Sequence, residues 1–238
     1  MSHAGPGNLP AVVWRQWRTE RALKRRGVKF RSTDPAAVEA AYAAMTAAEF
    51  DAINGRQAWA NWRTIPASLD ALLPADRPEP LRAVDLGCGT GSSTAVLAYV
   101  LPGGSEVLGV EFAEPLVRVA RTREYPNRGG RRCRVRFAVG SAAGPFVTAA
   151  GAVLADASVD VVNASGVVGH HLAGADLAAC LDETARVLRP GGVAALDPGP
   201  TAPAAVLRAG LERRGFRVVR RTRSNPLDRC GQVVAVKG

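Results

Sequence analysis

An apolar run, Val84-Asp85-Leu86, breaks at Gly87 into the turn Gly87-Cys88-Gly89-Thr90-Gly91 and resumes at Ser92 as the helix-length stretch SSTAVLAYVL. Glycine carries no Cβ, so the chain can turn sharply there and a ligand can approach the backbone. Such a turn after a first strand is where open α/β sheets bind nucleotide-like ligands. A helix starting at Ser92 also presents free N–H groups suited to an anion. The glycines read G-x-G-x-G, which differs from the G-x-G-x-x-G of dinucleotide sites. Asp85 stands two residues ahead of the first glycine, where it would repel a pyrophosphate and attract an ammonium group.

Beyond Leu81, short apolar runs alternate with helix-length stretches. The runs are RAVDLG (82–87), EVLGVE (106–111), RVRFAVG (134–140), VDVVNAS (159–165) and GGVAALD (191–197). SSTAVLAYVL, AEPLVRVARTRE and DLAACLDETARVL lie between them. This alternation implies parallel strands joined by right-handed crossovers. The connection 141–158 is expected to hold a short helix around Val147–Leu154. A helix over Ala204–Arg214 leads into GFRVVRRTR and QVVAVKG, joined by SNPLDRCG as an antiparallel hairpin. Upstream, Asp34-Pro35 supplies an N-cap and a first helical residue, and the alanine-rich AAVEAAYAAMTAAEF that follows has high helix propensity. A further helix through INGRQAWANW is expected to stop near Ile65-Pro66, before the proline-rich LPADRPEP. The predicted architecture is α/β: a doubly wound, mostly parallel, seven-stranded Rossmann-like sheet ending in an antiparallel hairpin, with an N-terminal helical cap. Residues 1–80 form the cap and linker, and 81–238 the ligand-binding domain.

VDLGCGTG resembles the first motif of the class I S-adenosylmethionine (SAM)-dependent methyltransferases, and the likeness continues through most of 81–238. SAM carries an ammonium and a carboxylate at its methionine end and no phosphate, which suits Asp85 better than NAD does. The resemblance implies that Gly87, Cys88, Gly89 and Gly91 lie under the methionine portion, with Asp85 near its amino group. Glu111 matches the acid that bonds the ribose hydroxyls, with Phe112 beside it. VGSA (139–142) resembles the third-strand G-D-A motif. Ser141 stands there in place of the acid that meets the adenine amino group, leaving the backbone at Ala142 as the substitute. In VDVVNASGVVGHHL, Asn163 to Ser165 would face the cofactor, and His170 and His171 the acceptor. LRPGGVAALD (188–197) resembles the turn into the fifth strand.

Methyl transfer from a sulfonium is an in-line displacement in which the enzyme aligns acceptor, methyl and sulfur and excludes water. Positioning of this kind can lower a barrier by ~7–11 kcal/mol. A general base is needed only for a hydroxyl, thiol or protonated amine acceptor. His170 and His171, with ordinary pKa values near ~6.5, are the candidates; the alternative is that they cap or underlie the next helix. Cys88 reads as a small filler within the turn. Trp59, Trp62 and Arg63, at i, i+3 and i+4, share a helix face. Two readings stand for that face: a lid that forms part of the acceptor pocket, or a helix packed on the sheet edge.

The formal net charge is +10. Between Val12 and Arg31, eight basic residues stand against Glu20 alone, and a second basic stretch runs from Arg213 to Arg223. Such patches are solvated faces, or they attract nucleic acid, anionic lipid or an acidic substrate. Trp14 and Trp17 within the first stretch also fit an interfacial helix. A small organic acceptor is the leading reading, because no N-P-P-Y-like motif ends the fourth run and no RNA-binding module precedes the domain. The alternatives are an RNA or protein methyltransferase using the basic N-terminal arm, and a non-catalytic SAM- or nucleotide-binding module. Four scattered cysteines and three histidines without metal-ligand spacing point away from zinc and towards a reduced, cytoplasmic setting. Neither a secretory h-region nor an apolar run of about 18 residues occurs, so no membrane span is expected.

Overall fold

The computed structural model describes residues 8–30, 32, 34–70, 79–223 and 230–238. Most of the proline-rich stretch 73–80 and of the hairpin loop 224–231 lies outside them. Helix α1 (Leu9–Arg25) comes first. Asp34 then caps α2 (Pro35–Ala43), its carboxylate accepting the Ala36 N–H at 3.1 Å. The alanine-rich run is two helices rather than one. Thr46 opens α3 (Ala47–Ile53) with a reciprocal cap: its hydroxyl accepts the Glu49 N–H at 3.2 Å, and the Glu49 carboxylate accepts the Thr46 N–H at 2.9 Å. Satisfying the free N–H groups of a new helix start outweighs the small gain from continuing through alanine.

Helix α4 (Gly55–Leu69) runs through Pro66 where a stop was expected. Proline removes one N–H from the helix ladder, but Ile65 and Leu69 are both fully buried, on the sheet beside Leu81 and Val234. Burying each such side chain is worth about 1.5–3 kcal/mol, enough to carry the helix one more turn.

The α/β part contains β1 (Arg82–Leu86), α5 (Ser92–Val100), β2 (Glu106–Glu111), α6 (Glu114–Arg121), β3 (Arg134–Val139), β4 (Val159–Ala164), α7 (Val168–His171), α8 (Gly174–Val187), β5 (Leu188–Leu196), α9 (Ala204–Glu212), β6 (Phe216–Thr222) and β7 (Gln232–Lys237). The strands form one seven-stranded sheet in the order β3-β2-β1-β4-β5-β7-β6. Strands β1 to β5 are parallel, and β7 enters antiparallel between β5 and β6. The helix expected around 147–154 does not form. Val147 instead bridges Val153 antiparallel, and the Leu154 N–H bonds the Phe146 carbonyl at 2.8 Å. This small hairpin seats Phe146, which is fully buried, as a plug under the sheet edge.

Strand alternation sorts the core into two layers. Ala83, Val107, Val161, Val193 and Val234 meet α4 and α5 on one face. Val84, Leu86, Val162 and Leu196 meet Leu177 and Leu181 of α8 and Leu207 and Leu211 of α9 on the other. Every residue of β4 is buried, as a central strand covered on both faces requires. The strand order reverses between β1 and β4, and a crevice opens beyond their carboxyl ends.

Candidate active site

The glycine turn leaves β1 at the edge of this crevice. The Cys88 N–H bonds the Val110 carbonyl at 3.2 Å and the Gly91 N–H bonds the Cys88 carbonyl at 2.8 Å, so the turn is tied to β2 and closed on itself. Gly87 and Gly89 both have left-handed φ, +58° and +53°. A Cβ on Gly87 would overlap Val167 of the β4–α7 loop, and one on Gly89 would stand 2.7 Å from the ring of Phe50 in α3. The turn is thus pressed between the loop on one side and the N-terminal helices on the other.

Two buried carboxylates flank it. Asp85 is fully buried and accepts hydrogen bonds from Ser93 Oγ (2.7 Å), Thr94 Oγ1 (2.6 Å) and Asn163 Nδ2 (2.7 Å). Burial pushes its carboxyl up from the usual range, and the three donors pull it part of the way back. Asn163 Oδ1 in turn accepts from Gln232 Nε2 at 2.7 Å, and Gln232 Oε1 accepts from Ser68 Oγ at 2.7 Å. Glu111 ends β2 and is 3% exposed, with its oxygens accepting the N–H groups of Gly89 (3.0 Å) and Ala113 (2.9 Å). Burial raises its carboxyl as well, against those backbone bonds.

A cavity of about 580 Å³ opens over the turn, within the range of small-molecule sites. Its floor and walls include Gly87, Cys88, Gly89, Glu111, Phe112, Ser141, Ala142, Ser165, Val167, His171, Leu172 and Asp176. The Ser141 hydroxyl accepts the Ala143 N–H at 3.0 Å, which shapes the loop after β3. Asp85, Gly91 and Asn163 sit off the wall. Asp85 and Asn163 form a layer beneath the turn, and Gly91 is the N-cap of α5, against the Tyr125 hydroxyl.

The roof comes from the N-terminal helices, with Val38, Tyr42, Phe50, Asp51, Asn54, Gln57, Ala58 and Asn61 facing in. Tyr42 stacks on Phe112 at 5.7 Å between ring centroids and meets Phe50 edge-on at 5.1 Å. Asp51 accepts the Thr90 hydroxyl of the turn and pairs with Arg123 beyond α6. Roof and floor are therefore joined directly. Sequence reasoning did not single out Phe50 or Asp51, although the Thr46-to-Glu49 capping pattern marks the start of their helix.

Trp59, Trp62 and Arg63 are not on the cavity wall. Trp62 packs edge-on against Tyr99 of α5 at 5.3 Å, and the Arg63 guanidinium lies 4.1 Å over the Trp59 ring. The face of α4 that looks into the cavity carries Asn54, Gln57, Ala58 and Asn61, at i, i+3, i+4 and i+7. That spacing was present in the sequence. Burial of Ile65 and Leu69 against the sheet and α5, with Trp62 partly buried at the seam, turns this more polar face inward.

The two histidines part company. His171 is on the wall, its Nδ1 3.0 Å from the Ser32 carbonyl. A carbonyl only accepts, so Nδ1 carries a proton in this contact. His170 is exposed, away from the wall and close to Gly199. Asp197, 2% exposed, accepts the N–H groups of Val168 (3.1 Å) and Gly169 (3.2 Å) and so pins the first turn of α7.

Residues 83–192 match the model of a family described as a methyltransferase domain. No curated protein sequence matches the chain. Among solved structures, magnesium protoporphyrin IX methyltransferase (ChlM) from Synechocystis PCC 6803, with bound SAH, is similar at a TM-score of 0.56 and 17% identity, over 82% of this chain and 88% of that one. A TehB-like SAM-dependent methyltransferase from Corynebacterium glutamicum gives 0.51 and 19%, over 72% and 86%. The [4+2]-cyclase SpnF gives 0.51 and 18%, over 73% and 80%. Likeness at such identities shows a shared fold, and a fold can host more than one reaction. The donor chemistry of the cavity suits SAM: it opens over the Gly87–Gly89 turn beside a buried carboxylate, Glu111, at the end of the second strand, with no lysine or arginine among the described wall residues.

Proposed function

We infer that this class I SAM-dependent methyltransferase transfers its methyl group to a small organic acceptor held between the glycine turn and α7. The observation that carries the reading is the roof: Phe50 resting on Gly89 and Asp51 bonded to Thr90 give a covered chamber suited to a small molecule. The cofactor supplies an electrophilic methyl group on a positively charged sulfur.

The chain's own residues hold and orient. The backbone of Gly87, Cys88 and Gly89 would run beneath the methionine portion, and Glu111 would meet the ribose hydroxyls. Phe112, Ser141 and Ala142 would border the base. Asp85 acts from one layer down, fixing Ser93 and Thr94 at the start of α5. Among the described residues, the charged side chains on the wall are Asp51, Glu111 and Asp176, with no lysine or arginine. Carboxylates favour a cationic cofactor and disfavour an acceptor bearing carboxylate or phosphate. Where the acceptor loses a proton, His171 would be the base, since it lines the cavity and His170 does not. A cytoplasmic setting fits the widely scattered cysteines Cys88, Cys133, Cys180 and Cys230, which never form a C-x-x-C pair.

Calorimetric titration with SAM, S-adenosylhomocysteine and NADH tests the cofactor assignment. Saturable binding of the two sulfur ligands alone supports it, and binding of NADH alone would overturn it. Transfer of labelled methyl to neutral acceptors, lost in His171→Ala and kept in His170→Ala, separates an enzyme from a silent binding module.

A further inference from the structure

Helix α1 shows the roof one face and solvent another. On its inner side Gln16 and Leu23 are buried, Gln16 Oε1 accepts the Arg56 N–H of α4 at 3.2 Å, and Val12 packs against Gly55. Its outer side carries Trp14, Trp17, Arg18, Arg21, Lys24 and Arg25, which fall within one stripe at 100° per residue. Trp14 and Trp17 are 56% and 55% exposed, a costly way to leave two indoles in a chain with only four. The Arg18 guanidinium lies 4.8 Å over the Trp14 ring, and that of Arg21 lies 5.5 Å over Trp17. No acid shares the stripe: Glu20, the only one in α1, receives the buried Gln16 amide at 2.9 Å on the other side.

We propose that this outer face of α1 docks on an anionic phospholipid surface. Indole rings lodge at the boundary between headgroups and hydrocarbon, and arginines beside them lay their stems along the rings with their charges at the phosphates. The i, i+4 stacking of Arg18 on Trp14 and Arg21 on Trp17 already has that form. A nucleic acid would answer the charge equally well, but among the described residues the cavity wall carries carboxylates and no lysine or arginine, so a polyanion held by α1 gains nothing there. An apolar acceptor dissolved in a bilayer does gain, because α1 is seated on α4, which roofs the chamber. This last link rests on the proposed function; the surface binding itself does not.

The test is co-sedimentation of the full chain with vesicles of phosphatidylcholine alone and of phosphatidylcholine with phosphatidylglycerol, read together with tryptophan emission. Partition onto the anionic vesicles with a blue shift is expected, falling with added salt. Arg18→Glu with Arg21→Glu should weaken it by roughly thirtyfold or more, since each basic group near an anionic surface contributes a factor of about five. Trp14→Ser with Trp17→Ser should abolish the blue shift while circular dichroism stays unchanged. Failure to partition, partition indifferent to both double variants, binding of single-stranded RNA without vesicle binding, or self-association through this face in place of vesicle binding would each overturn the proposal. None of these readouts needs turnover, so they stand or fall separately from the methyl-transfer reading.

Discussion

Phe50 of α3 lies on Gly89 so closely that a Cβ on the glycine would stand 2.7 Å from Cε1 of the ring. This single contact closes the N-terminal helices onto the turn that leaves β1. It also makes the glycine answerable to two demands, a left-handed backbone and a flat surface under an aromatic ring.

Gly89→Ala should fail on both counts. A left-handed φ costs a non-glycine residue about 1–2 kcal/mol, and the new methyl would lift Phe50 and the roof with it. The expected outcome is a lower melting temperature and weaker SAM binding by roughly tenfold or more, since 1.4 kcal/mol corresponds to a factor of ten. Adding Phe50→Ala should relieve the clash but not the backbone strain, restoring only part of the stability. Full restoration would show that the backbone demand is absent.

Glu111→Ala should weaken SAM binding by ~1.5–3 kcal/mol, the worth of charged hydrogen bonds to a hydroxyl pair. The structure adds a second effect, because the same carboxylate holds the N–H groups of Gly89 and Ala113. Urea unfolding of the ligand-free variant should therefore show reduced stability as well. Unchanged affinity in a folded variant would remove Glu111 from the site.

Trp62→Ala should act on stability and leave the cofactor alone. The partly buried side chain packs in the seam between α4 and α5 against Tyr99, and losing it should cost about 1–2 kcal/mol, below the roughly 3–5 kcal/mol of a fully buried aromatic. SAM affinity measured by calorimetry should stay within a factor of two. A large loss of affinity at unchanged stability would return Trp62 to the acceptor pocket.

Burial raises the carboxyls of Asp85, Glu111 and Asp197. A folded-state value above the unfolded one means that the folded protein holds a proton the unfolded chain has released. Their contribution to stability is thus present below the unfolded value, near ~3.9 for Asp and ~4.3 for Glu, and is lost as pH rises through the folded values. Unfolding midpoints in urea, followed upward from about pH 4, should fall less steeply for Asp85→Asn than for the natural chain. With SAM held over the turn as proposed, its positive charge should make its affinity rise over the same interval. A steeper fall in the variant would contradict the assignment.

Much of this was legible in the chain itself. VDLGCGTG announces a strand, a bare turn and a helix because only glycine tolerates that backbone, and Gly87 and Gly89 are left-handed as such a turn needs. The five parallel strands could be read because each is a short apolar run between helix-length stretches. Less could be read where two local preferences compete. Alanine propensity runs straight through Thr46, where the reciprocal cap with Glu49 breaks the helix. Pro66 marks an end that the burial of Ile65 and Leu69 overrides.

The sequence by itself determined the sheet, the turn and the acid at the end of β2, since each follows from the needs of a few consecutive residues. Which side of α4 looks inward was settled only by tertiary structure. Trp59, Trp62 and Arg63 share a helical spacing, and so do Asn54, Gln57 and Asn61, and periodicity alone ranks neither. Burial of Ile65 and Leu69 on the sheet, with Trp62 packed partly buried against Tyr99, left the amide-bearing face to the cavity. The same holds for the two histidines, where the bond from Asp197 to α7 and the Ser32 carbonyl set His171 on the wall and His170 off it. A side chain's role here depends on which distant surface it meets, and the order of residues along a chain does not contain that distance.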